Sequence, residues 1–127
     1  MVSVMLALML PVPAPLADLR VESARSAFRQ CIAMQAGEIV TAARSDASSA
    51  VEISPSSAAD AARHFCYVLE KDIRGVLPAF IENMLKKEGV TSFSQSTVDM
   101  LSDDTLTAMI DEEVELLKAA LLSNPET

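Results

Sequence analysis

The sequence predicts an all-α fold, and three observations carry that expectation. Ala, Leu, Glu and Arg favour helix, while aromatic residues make up only 4% of the chain, with three Gly and no Trp. Apolar residues recur at steps of three and four along long blocks, and runs alternating with period two are scarce. The stretches between blocks are rich in Ser, Pro or Gly. The architecture expected is a small helical bundle built on an antiparallel helix hairpin, about 19–46 and 56–75, joined by one disulfide. A kinked or broken continuation (78–88) and a C-terminal helix (about 103–122) complete it.

The N-terminus sets the compartment. Met1 to Leu10 is free of charge and runs into Pro11, Pro13 and Pro15 before the first charged residue, Asp18. This reads as an export signal over 1–17, cut after Ala17, with Ala14 as the alternative site. A membrane span takes roughly 20 apolar residues, and three prolines interrupt this segment. The expectation is a secreted or periplasmic protein, a single α-helical domain over 18–127, with no stable span once the signal is removed.

The first block has Asp18 as its expected N-cap and an apolar stripe of Val21, Ala24, Phe28, Cys31 or Ile32, Ile39 and Ala43, interrupted at Gln35. It fades into a Ser/Ala linker from Ser45 to Ile53. Ser54-Pro55 restarts a helix, because proline suits the first turn; Ser57 with Asp60 is an alternative cap. The second stripe is Ala62, Phe65 or Cys66, Leu69, Ile73, Val76 or Leu77, Phe80 and Met84. Pro78 lies inside it and lacks a backbone donor, so a kink or break is expected there. Lys86, Lys87 and Gly89 supply the stop. The third block opens on Phe93, Val98, Met100 and Leu101 among polar residues, and Ser102 is expected to cap the final helix, with Asp103 and Asp104 at its positive end. Leu106, Met109 or Ile110, Val114, Leu117 and Leu121 form its buried stripe, and Asn124-Pro125 ends it.

The two cysteines, Cys31 and Cys66, face each other in an antiparallel hairpin centred near residue 48, inside the Ser/Ala linker found independently from composition. The same register sets Phe28 against Leu69 and Ala24 against Ile73. Ala27 and Ala62, each one turn before a cysteine, leave room for the Cα separation of about 5.5–6 Å that a disulfide prefers.

Shortage rules out most catalytic constellations. The one histidine, His64, is two residues from Cys66, and helical positions two apart do not face each other. It reads as an exposed residue beside Asp60 and Lys71. Zinc spacings, a phosphate-cradling Gly loop, a Gly-x-Ser-x-Gly elbow and a Cys-x-x-Cys pair are all missing from the sequence. No catalytic, cofactor-binding or metal-binding residue is therefore expected, and the chain reads as a non-enzyme without a cofactor. Met34, Met84, Met100 and Met109 are scattered rather than clustered, as core filler is and a copper site is not.

Charge is unevenly placed. The net charge is −8, and from Ser94 onward a single Lys faces eight acids. Nucleic acid and anionic membranes are poor partners for such a chain. Arg20, Arg25 and Arg29 read as an ordinary solvated edge, interleaved with Glu22. Asp104, Asp111 and Glu115 share one face of the last helix, with Glu112 alongside, as a solvated surface or one that docks a basic protein partner.

In the combination of signal, helical fold and single disulfide the chain is similar to small periplasmic acid-stress chaperones. Cys31 follows Phe28-Arg29-Gln30, without a preceding Trp, so the likeness is one of architecture. The function expected is that of a binding or interaction module, through a protein partner or self-association. A carrier with an apolar inter-helix pocket, or a periplasmic chaperone or inhibitor, is the alternative.

Overall fold

The computed structural model describes residues 14–45 and 53–123 and contains four helices among them: α1 (Ala14–Ser45), α2 (Pro55–Phe65), α3 (Tyr67–Lys87) and α4 (Gln95–Ser123). The signal expected over 1–17 lies outside the described residues as far as residue 13, as do most of the Ser/Ala linker and the Asn124-Pro125 stop. Among the described residues there is no strand.

The start of α2 and the end of α3 each have a local cause. At the start of α2, Ser54 takes extended torsions and its Oγ accepts from the Ser57 N–H at 3.1 Å, with Pro55 in the first turn. That is the cap the sequence implied. At the end of α3, Gly89 adopts φ 88°, its N–H donates to the Lys86 carbonyl at 3.0 Å, and the Val90 N–H donates to the Leu85 carbonyl at 2.9 Å. This paired closure satisfies two terminal carbonyls and requires a left-handed residue, which glycine adopts without a Cβ penalty. The short turn that follows makes α3 and α4 antiparallel neighbours.

Three boundaries differ from the sequence expectation. Asp18 is not a cap: α1 already begins at Ala14, and Ala17 is buried. Ser102 is not a cap either, because α4 begins at Gln95, where the Ser94 Oγ accepts from the Thr97 N–H at 3.2 Å. The interruption expected at Pro78 falls instead at Cys66, and α3 runs unbroken through Pro78. Proline removes only one donor, that for the Arg74 carbonyl, and Arg74 is an exposed residue. At Cys66 the backbone moves to φ −99°, ψ 17°, its N–H is shared between the Ala62 and Arg63 carbonyls at 3.1 Å each, and α3 restarts from its own carbonyl.

The Cys31–Cys66 disulfide joins the middle of α1 to this joint, with a Cα–Cα separation of 6.1 Å. The main core, drawn from all four helices, includes Phe28, Ile32, Ala36, Ala59, Ala62, Ile73, Leu77 and Ile110. The stripe of α1 continues through Ala36 rather than breaking at Gln35, and Cys66 rather than Phe65 takes the buried position at the joint. A second cluster, Ile81, Leu85 and Val98, is sealed by Phe80, Met84, Phe93 and Leu101 without any α1 residue. The bundle therefore has a full layer around the disulfide and a two-helix layer at the α3–α4 turn.

Candidate interaction surface

An inward-facing carboxylate fixes the relation of α1 to α4. Glu113 follows Ile110 by three residues and precedes Val114 by one, so it sits inside the buried stripe of α4. Its side chain is 1% exposed. Arg25 Nε donates to its Oε2 at 2.7 Å, while Arg29 donates from Nε to Oε1 at 2.7 Å and from Nη2 to Oε2 at 2.8 Å. The Arg29 contact is the bidentate guanidinium–carboxylate fork. The hydrogen bond from Arg29 outweighs burial, which alone would raise the Glu113 pKa, and with Arg25 holds the carboxyl below the usual carboxylate range. The Arg25 pKa is raised: burial opposes the shift, but the hydrogen bonds and charges of Glu113 and Glu112 exceed it. Arg25 and Arg29 are thus not the solvated edge expected from the sequence but a clamp on a buried acid. A smaller pair, Arg63 Nε to Glu70 Oε1 at 2.7 Å, spans the α2–α3 joint.

Outward from this frame, the sequence-predicted acids divide. Asp104, Asp111, Glu112 and Glu115 are all exposed on α4. Glu112 makes a 3.2 Å contact with Arg25 Nη2, and Glu115 a loose 3.4 Å contact with Lys118, which also approaches Asp60 at 3.7 Å. Asp104 and Asp111 make no ion pair among the described residues. One face of α4 therefore presents carboxylates directly to solvent.

The α2–α3 joint presents the opposite character. Phe65, Tyr67 and Val68 are 65%, 55% and 67% exposed. His64 is exposed beside them, its ring 6.2 Å from that of Phe65 in an edge contact, and the Lys71 Nζ stands 5.2 Å from the Tyr67 ring centroid. The core meanwhile is filled largely with Ala and aliphatic residues, so two of the chain's five aromatic side chains are placed outside it. Large apolar groups grouped at one exposed site, on a backbone tied down by a disulfide, have the composition of an interaction surface. Phase explains how they get there: Cys66 turns inward to reach Cys31, and its neighbours on either side turn outward.

Met34 and Met100 are also exposed rather than core filler, while Met84 and Met109 are partly buried as expected. An open depression near Met34, Val40, Ala42 and Leu121 lies between the far end of α1 and α4. Among the described residues no group of three or more His, Cys, Asp or Glu is placed to hold a metal ion, and no helix is long and apolar enough to cross a membrane.

Fold and surface together define a disulfide-linked helical bundle with an apolar joint and an acidic last helix. No family model matches this chain, and comparison with curated proteins and with solved structures likewise gives no match.

Proposed function

We propose that this protein is a secreted or periplasmic binding module that engages a protein partner through the exposed α2–α3 joint and does not act by catalysis. The observation that carries this is the grouping of Phe65, Tyr67 and Val68, each more than half exposed, within four consecutive residues at one joint of the bundle. Exposed aromatic side chains with a rigid backbone lose little conformational freedom on binding, so they favour recognition over other uses of the same residues. The disulfide and the charge-free leader support export, and an intact mass beginning near Asp18 is expected for the exported product. A product that retains Met1 to Ala17 would remove the export part of the proposal.

The binding part is tested by placing a photocrosslinking amino acid at Val68, and at the exposed Glu38 of α1 as control, in the exporting cell. Discrete adducts from Val68 that Glu38 does not give are expected. Absence of any adduct from Val68 would refute recognition through the joint.

A further inference from the structure

The face of α3 next to the joint and the outward face of α4 are complementary, and we propose that a second copy of this chain docks through them head to tail. The proposal rests on the binding role above and names the partner. On α3, Tyr67, Lys71 and Arg74 follow at steps of four and three, so they share one face, with Val68 beside them and all exposed. On α4, Asp111, Glu115, Ala119 and Leu122 follow at steps of four, four and three and are also exposed.

Laid antiparallel, Arg74 falls opposite Asp111, Lys71 opposite Glu115, and Tyr67 opposite Ala119. Two cations meet two anions at one end of the contact, and an aromatic ring covers a small residue at the other. The register is selective: sliding the helices by one turn in either direction leaves at least one of the two cations opposite an apolar residue, Ala108 in one direction and Leu116 or Ala119 in the other. The charges have unused capacity within one copy. Among the described residues Lys71, Arg74 and Asp111 make no ion pair, and the partner of Glu115 is the shared Lys118.

The two faces lie on different helices of one copy, so a contact that uses one face of each copy leaves the complementary face free on both and extends as a ring or a chain. A contact of about three helical turns is small, so the association is weak and concentration-dependent. Copies carrying −8 each repel at long range, and screening at physiological ionic strength is needed before the short-range pairs act.

Sedimentation equilibrium of the exported protein over a concentration series tests this at physiological ionic strength. The weight-average mass should rise with concentration. The pair Lys71→Glu/Arg74→Glu and the pair Asp111→Lys/Glu115→Lys should each weaken association at least about tenfold, since two charge pairs become repulsive contacts. An equal mixture of the two variants should restore it, because each reversed face then finds its opposite on the other chain. All four positions are exposed, and unchanged helical circular dichroism verifies that the variants fold. A protein that stays monomeric at every concentration overturns the proposal, and so does a mixture that fails to associate. The Val68 adduct separates this from the binding role itself: twice the chain mass supports a second copy, and any other mass assigns the joint to a different partner and overturns self-docking there.

Discussion

Replacing Glu113 with Gln isolates the contribution of the buried carboxylate to holding α1 on α4. Three charge-assisted hydrogen bonds, two at 2.7 Å and one at 2.8 Å, converge on it. Bonds of this type contribute about 1.5–3 kcal/mol each when both partners are desolvated. The Arg29 side chain is 52% exposed, so water replaces much of what it loses, and Arg25 retains Glu112. The Gln side chain keeps one acceptor but turns an amide nitrogen toward a guanidinium, which sets donor against donor. The expected loss is about 2–3 kcal/mol, below the roughly 3–5 kcal/mol for stripping one partner from a fully buried pair. For a domain of this size that lowers Tm by about 10 °C. Glu112→Gln is the control: its side chain is 63% exposed, and the loss should stay below about 0.5 kcal/mol. Urea unfolding followed by circular dichroism reads both. The pH dependence has a defined sign. Because the folded-state pKa of Glu113 is depressed, its stabilisation is present above the unfolded value of about 4.3 and is lost as pH falls through the folded value. The gap between wild type and Glu113→Gln should therefore narrow in acid. Equal stabilities for the two Gln variants at neutral pH would refute the clamp.

Three further outcomes are expected. Ser102→Ala should stabilise the protein by about 1 kcal/mol, because the buried Ser102 Oγ has no hydrogen-bond partner; a destabilised variant in urea melts would point to a buried water held there. Gly37→Ala and Gly75→Ala should each stabilise by up to about 1 kcal/mol, since both are helical and an added Cβ meets nothing within 4 Å, while Gly89→Ala, at φ +88°, should destabilise in the same assay. Converting both cysteines to Ser should cost roughly 3–4 kcal/mol for a loop of 35 residues, and an unchanged urea midpoint would contradict the cross-link's role.

The features legible from sequence were those in which a residue type has one physical use. A Ser-Pro pair before an apolar stripe, a Lys-Lys-x-Gly stop and two cysteines spaced about a linker each specify local geometry, and Ser54, Gly89 and the Cys31–Cys66 bond sit where that logic puts them. Features that depend on helix phase were harder. Glu113 lies in a run of acids that reads as solvated, yet it occupies a stripe position between Ile110 and Leu117, facing Arg25 and Arg29 one turn apart. Ser102 is hidden in the same way between Val98 and Leu106, which made it look like a cap rather than an interior residue. Following the stripe from Leu106 was the available signal for both: four residues back it reaches Ser102, and seven residues on, three past Ile110, it reaches Glu113. The exposed joint was not legible because Phe65 and Cys66 compete for one inward position, and only the covalent partner of Cys66 decides between them.

Placing the cross-link at the α2–α3 joint also divides the chain mechanically. The closed loop from Cys31 to Cys66 holds the second half of α1, the linker and all of α2, while the first half of α1, α3 and α4 lie outside it. Tension applied at the two ends passes across the sulfur bridge and bypasses everything within the loop. Pulled in an optical trap, the oxidised chain would release less length than the reduced chain by about 120 Å, the extended span of 35 residues at roughly 3.3–3.6 Å each. The Ala-rich contact between α1 and α2 would thus remain slack while the Arg–Glu113 clamp carried the load.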